Sequence, residues 1–270
     1  MKSLPSIATK IRESVIRMSY VSQSAHMGGS LSCVEILTAL YFSVLKVYPK
    51  NPLHPGRDRF IFSKGHDSKA LYATLAERGF FKKTVLASYE KNNSLLPGHP
   101  TRQCVPGVEI TSGSLGHGLS IAAGMAFTLK QDSKNARVFT LLSDGECNEG
   151  STWEAILFAG HHRLENLTVI VDYNKLQGYG FVKNVLNLEP LLQKWTSFNW
   201  AGRVVDGHNL DALVEMLHDL PITKNMPSVI IANTTKGNGG VKRYLNSIGS
   251  QYHPPTSEDM ADLHLSADWL

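Results

Sequence analysis

Cysteine is scarce in this 270-residue chain, which has three, Cys33, Cys104 and Cys147, an odd number with no CxxC pair. That excludes a disulfide-stapled scaffold and fits the reduced thiols of a cytoplasmic protein. No apolar run approaches the roughly 18 residues of a spanning helix, and the opening MKSLPSIATKIRESVIR carries charge where a secretory leader needs apolar residues. The expectation is therefore cytoplasmic, with no membrane insertion. Low-complexity tracts, internal repeats and Pro/Ser-rich linkers are missing too, which points to one folded domain over residues 1–270. Lys and Arg outnumber Asp and Glu by 27 to 23, but they are scattered and not interleaved with aromatics, so nucleic acid is not an expected partner. HExxH, GxSxG and an EF-hand loop are absent, which removes local support for zinc-protease, hydrolase and calcium-site readings.

What is present reads as an ordinary folded chain, 42% hydrophobic and 19% charged. Ile7, Ile11, Val15 and Met18, then Ile36, Leu37, Leu40 and Tyr41, recur at helical spacing around a turn at SAHMGGS. RDRFIFS is a short β-like run. ARVFTLLSDG, a helical stretch from Glu149 to Leu164, and LTVIVDYN make a βαβ unit whose apolar strands suit burial on both faces. NWAGRVVDG, a helical pattern from Asn209 to Leu220, and MPSVIIANTT continue the alternation. The expected fold is α/β, a doubly wound parallel sheet with helices on both faces and ligands at the strands' carboxyl ends. The last thirty-odd residues, with GNGG and HPPTSED, read as loop.

Two glycine-rich stretches are near misses. Gly113 to Gly118 is G-x-x-G-x-G, the reverse of the dinucleotide spacing, and Gly145 to Thr152 has Ser151 where a phosphate loop needs lysine. More informative are Asp144, in SDG after the strand VFTLL, and Asn174, in DYN after LTVIV. Neighbouring parallel strands bring these ends together, so a carboxylate and a carboxamide face one point. Mg²⁺ takes such oxygens together with phosphate and water, so the pair suits a metal-bound diphosphate, with Gly145 allowing close backbone approach. The plainer alternative is that Asp144 caps the next helix and Asn174 makes a turn.

SDGECNEGSTWEAILFAGHHRLENLTVIVDYN resembles the thiamine diphosphate signature, an Asp-Gly turn followed by Asn about thirty residues on. The wider resemblance is to transketolase, specifically the amino-terminal half that split, two-subunit transketolases encode alone. SAHMGGSLS, RDRFIFSKGH, LPGHP, PGVEITSGSLGHGLSIAAGMA, the signature, and NKLQGYG with EPLLQKW follow that family in order over nearly the whole chain. The resemblance implies the diphosphate-binding domain of a thiamine diphosphate enzyme. Its Mg²⁺, or another divalent cation such as Ca²⁺ or Mn²⁺, would be held by Asp144, Asn174 and the carbonyl of Leu176. Cofactor contacts would come from Leu115, Gly116, Asp144, Gly145, Glu146, Asn174 and His66. His26, His66, His99 and His253 match substrate-channel histidines, and Glu149 matches an acidic residue that communicates with the partner's cofactor-activating glutamate. Ketol transfer moves a proton off a hydroxyl and onto an aldehyde oxygen, and imidazole serves both directions near neutral pH.

The resemblance also implies a separate partner subunit carrying the pyrimidine-binding and carboxy-terminal domains, most simply in a heterotetramer with two copies of each chain. Four positions depart from it: Ser143 for the first glycine of GDG, Ala25 for the glycine before the first histidine, His117 for glutamine, and Pro254 for the glycine after His253. Ser143, Ala25 and His117 leave open a specialised ketol transferase with an unusual or carrier-bound acceptor. A non-catalytic scaffold subunit is the alternative of a different class.

Overall fold

Val138–Ser143 and Leu167–Tyr173 are buried at every position, as strands covered on both faces must be. The computed structural model describes residues 3–269, so Met1, Lys2 and Leu270, which the one-domain expectation and the opening stretch include, lie outside the described residues. Within it, β1 (Arg59–Phe62), β2 (Val138–Ser143), β3 (Leu167–Tyr173), β6 (Ala201–Asp206) and β7 (Ser228–Asn233) form one parallel sheet in the order β1-β2-β3-β7-β6. A two-residue hairpin, β4 (Leu176–Gln177) with β5 (Gly180–Phe181), stands apart from it.

Alternation along the strands divides the core in two. Phe60, Phe62, Phe139, Leu141, Ile170 and Ile230 pack on one face with α1 (Leu4–Ser22), α2 (Met27–Ser32), α3 (Val34–Ala39) and α4 (Ser68–Arg78). Ile61, Val138, Leu142, Val169, Val171 and Ile231 pack on the other with α5 (Gly118–Gln131) and α6 (Gly150–His161). Two small helices follow, α7 (Val182–Val185) and α8 (Leu191–Thr196); α8 joins the second face through Leu191 and Trp195. The chain steps from β1 to β3 in one direction and from β6 to β7 in the other. With right-handed crossovers that reversal sends α9 (Leu210–His218) to the first face, where Leu213 and Leu217 are buried. The doubly wound parallel sheet read from the sequence is the architecture observed.

Two local expectations need correction. The turn at SAHMGGS is confined to Gln23–His26, because Gly28, Gly29 and Ser30 are buried inside α2. The final thirty residues are not all loop: they include α10 (Gly249–Tyr252) and α11 (Ser257–Asp262). Thr256 starts α11 with a reciprocal cap to Asp259, a polar signal that hydrophobic periodicity does not register. Among the described residues no helix is long and apolar enough to cross a membrane, and Cys33, Cys104 and Cys147 are free thiols.

Candidate functional site

The register of the sheet sets the geometry. Ser143 pairs with Asp172 and Asn233 with Tyr173, so Asp144, Asn174 and Thr234 leave the sheet side by side. Asp144 Oδ1 accepts from Gly145 N at 2.7 Å and Oδ2 from Lys175 N at 2.7 Å, which ties the two strand ends together. Asn174 Oδ1 accepts from Leu176 N at 3.1 Å. The plain cap-and-turn roles are thus real, and they also orient the two side chains. Burial pushes the Asp144 carboxyl up to about 6, with the neighbouring Asp172 adding to the rise. Among the described residues no cluster of three His, Cys, Asp or Glu side chains is arranged for a metal; the expected set is instead one carboxylate, one carboxamide and one carbonyl.

Several neighbours were invisible in the sequence. The carbonyl of Leu176 accepts from Lys236 Nζ at 3.0 Å, and burial lowers the pKa of that ammonium. Lys64 is fully buried and paired with both Asp172 and Asp67, which hold it charged against desolvation. Beside Gly145 lies Gln177, whose Nε2 is buried without a partner, while its Oε1 accepts from Asn148 at 3.3 Å. An orphaned donor, an ammonium and oxygen ligands converging on one strand end fit a metal diphosphate. A cavity near 460 Å³ opens alongside, lined by Tyr173, Asn174, Lys175, Thr234, Thr235 and Asn246, where the strand order reverses.

The Gly113 to Gly118 stretch packs against the turn at Gly145. Gly116, at φ +83°, donates its N–H to Glu146 Oε1 at 2.9 Å, and a side chain there would strike Ser151 and Glu149. Glu146 is buried; desolvation raises its pKa although Ser63 and Gly116 hydrogen-bond to it, and its Oε2 has no partner. Ser143, the departure at the first glycine of GDG, accepts from Glu146 N at 3.3 Å and so closes the turn. Leu115 is half-buried; its carbonyl meets Nδ1 of His117 at 3.1 Å, and His117 itself is exposed. Glu149 is exposed at the start of α6.

Three of the four expected histidines come together. The ring centroid of His26 lies 5.4 Å from that of His66 and 6.4 Å from that of His99. Gly113 makes room for His99, since a Cβ there would come within 2.7 Å of its Cδ2. His26 sits in the left-handed region, at φ 63°, a strained conformation of the kind that clusters at functional sites. His253 is elsewhere, exposed in a groove with Tyr20, Gln23, Arg243 and Tyr244. It is Gln251 that reaches His26, with its Nε2 2.5 Å from Nδ1.

Burial lowers His26 from the ordinary 6.5 to about 4; His66, Lys69 and His99 add to the drop and Asp67 opposes it. Between these values the unfolded chain binds a proton that the folded chain does not. This contribution to stability is therefore complete above about pH 6.5 and lost as pH falls to about 4. Denaturant midpoints followed across this window should fall more steeply for the wild type than for His26→Asn. Equal slopes would contradict a half-buried His26 held neutral.

Residues 5–261 match the family described as transketolase, thiamine diphosphate binding domain. An apulose-4-phosphate transketolase subunit from Phocaeicola vulgatus is 38% identical over 92% of this chain and 88% of its own length. The 6-deoxy-6-sulfo-D-fructose transketolase subunit SqwG from a Clostridium species is 43% identical over 79% and 78%. Among solved structures, transketolase from Leishmania mexicana superposes with a TM-score of 0.91 at 28% identity, over 100% of this chain and 42% of that one. The chain thus spans about two fifths of the solved transketolase.

Proposed function

Because this chain belongs to the transketolase family through its thiamine diphosphate-binding domain, we propose that it is one half of a two-component transketolase. With a partner subunit it moves a two-carbon ketol unit from a ketose, a phosphorylated one in the simplest case, to an aldose. The observation that carries this reading is the pairing of Asp144 and Asn174 at adjacent strand ends with the His26, His66 and His99 cluster facing the same end of the sheet. The two relatives named as transketolase subunits support a split enzyme.

Bound thiamine diphosphate supplies the nucleophilic carbon and electron sink that ketol cleavage needs. This chain's residues do the rest. Asp144, Asn174 and the Leu176 carbonyl hold a divalent cation, Mg²⁺ or a substitute such as Ca²⁺ or Mn²⁺. Leu115, Gly116, Gly145, Glu146, Gln177 and Lys236 surround the diphosphate and the ring system next to it. His26, His66 and His99 take the proton from the donor's C3 hydroxyl and return one to the acceptor's aldehyde oxygen. His253, exposed outside the cluster of the other three, acts at the outer rim of the channel. Glu149, exposed near Gly116, is the contact to the partner's glutamate. The whole of residues 1–270 serves as the single diphosphate-binding domain, and the working particle is a cytoplasmic heterotetramer with two copies of each chain.

Reconstitution tests this reading. Neither chain alone should release aldehyde from a ketose phosphate, and the mixture with thiamine diphosphate and Mg²⁺ should; a mixture inactive on every ketose tried would count against it.

Assembly should use the apolar surface that α5 and α6 leave open. Ile121, Leu157 and Phe158 are exposed there, and a groove of about 950 Å³ runs past Val105, Val108, Ile121, Met125 and Leu129. A patch of this kind marks an interface. Ile121→Glu should weaken assembly by roughly tenfold or more without lowering the melting temperature of the isolated chain, as sedimentation and thermal denaturation will read. Unchanged sedimentation of the mixture would place the interface elsewhere.

A further inference from the structure

His66 has a neighbour that neither the motif reading nor the cofactor site uses. Asp67 follows it in the short turn Gly65–Asp67 and is 0% exposed. Its Oδ2 lies 3.2 Å from His66 Nε2 and 3.1 Å from Lys64 Nζ, ion-pair distances without full hydrogen-bond alignment, and its Oδ1 accepts from Ser30 Oγ at 3.3 Å. Burial opposes the charge, but His66 and Lys64 outweigh it and hold the carboxyl well below the usual carboxylate range. Space for this side chain is made by Gly29, where any Cβ would collide with both carboxylate oxygens.

A counter-ion for Lys64 is not reason enough to keep it. Lys64 is already paired with Asp172 and donates to the Gly29 carbonyl at 3.1 Å, and Asp172 is itself held by Ser32 at 2.6 Å and by Thr234. Desolvating a second carboxylate beside a lysine that already has one is costly. Among the described residues it is His66 that has no other polar tether; its ring stands at the edge of the histidine cluster with a fifth of its side chain exposed.

We propose that Asp67 is a positioning residue for His66, a buried carboxylate that fixes the orientation and tautomer of this imidazole within the histidine cluster. The idea rests on the reading of that cluster as the proton-transferring side of a ketol-transfer site. With the carboxylate against Nε2, the neutral ring carries its proton there and presents Nδ1 as the acceptor. When the ring gains a second proton, the carboxylate stands against the positive charge, the arrangement by which a buried aspartate supports a catalytic histidine.

A double-mutant cycle on the assembled two-chain enzyme tests this. Asp67→Asn should lower kcat by about 10- to 100-fold, the usual cost of losing a group that orients a functional histidine. KM for the ketose, thiamine diphosphate affinity and the melting temperature should stay close to wild type. In a His66→Ala background the same substitution should change kcat less than about twofold. Full multiplicative loss in that background, or parallel losses of cofactor affinity and thermal stability, would make Asp67 a structural counter-ion and overturn the proposal. If His66→Ala alone left kcat intact, the cluster reading would fall and this proposal with it, whereas a His66 effect without coupling to Asp67 would sink only the proposal. A second variant and readout are independent of turnover. With ¹⁵N-histidine in this chain of the assembled enzyme, His66 should show one tautomer protonated at Nε2 at neutral pH, and Asp67→Ala should replace it with a mixture. An unchanged spectrum would contradict the role.

Discussion

Asp144→Ala is expected to weaken thiamine diphosphate and Mg²⁺ binding by at least about 100-fold, close to 3 kcal/mol, and to leave the assembled enzyme inactive at ordinary cofactor concentrations. The size follows from the double use of the side chain. Its two oxygens already accept from Gly145 N and Lys175 N, so the carboxylate both fixes the loop geometry at the ends of β2 and β3 and supplies the one formal negative charge of the proposed ligand set. Alanine removes both. Asp144→Asn separates the two contributions, since a carboxamide oxygen still accepts one of those hydrogen bonds but brings no charge to the cation. The expected order of affinity is wild type, then asparagine, then alanine, read from the cofactor concentration that half-restores activity. A wild-type response from the alanine variant would remove the metal from this position.

His66→Ala or His26→Ala in the assembled enzyme should reduce kcat by roughly 10²- to 10⁴-fold, the span of a positioned acid or base, while thiamine diphosphate binding persists. His26 is the better anchored of the two. Its backbone N–H donates to the Gln251 carbonyl at 2.9 Å, its ring meets the Gln251 side chain, and Lys69 holds the turn before it by donating to Ala25 and Ser24. Burial lowers Lys69 to about 8, so this turn is fastened by an ammonium with almost no solvent around it. His99, nearer the surface, should give a smaller effect on kcat and a larger one on KM for the sugar. His253→Ala should change kcat less than the other three, because it stands outside the cluster in which His26 meets His66 and His99. Equal losses at all four positions would show that the channel reaches further than the observed cluster.

The sheet was legible because the strands announce themselves: VFTLL and LTVIV carry no charge and one threonine each before the turn that follows them, and both are buried throughout. Asp144 and Asn174 were legible for the same reason, as polar residues placed where such strands stop. Helix α5 was harder. It begins inside the glycine-rich stretch, and its outward positions include Ile121 and Gly124, so the usual contrast of apolar and polar faces is weak. The largest gap concerns buried charge. Lys64, Asp67, Lys69, Asp172 and Lys236 are all buried, yet by residue type each reads as surface. Only three-dimensional pairing makes such burial tolerable, and no spacing rule reports which charges will find partners across Lys64 to Asp172, 108 positions apart.

The most direct test of a site divided between two chains is calorimetric titration of thiamine diphosphate, with Mg²⁺ present, into this chain, into its partner, and into the equimolar mixture. The account predicts tight binding in the mixture and weak or undetectable binding to either chain alone. Absence of binding in the mixture, or equally tight binding to this chain by itself, would contradict it.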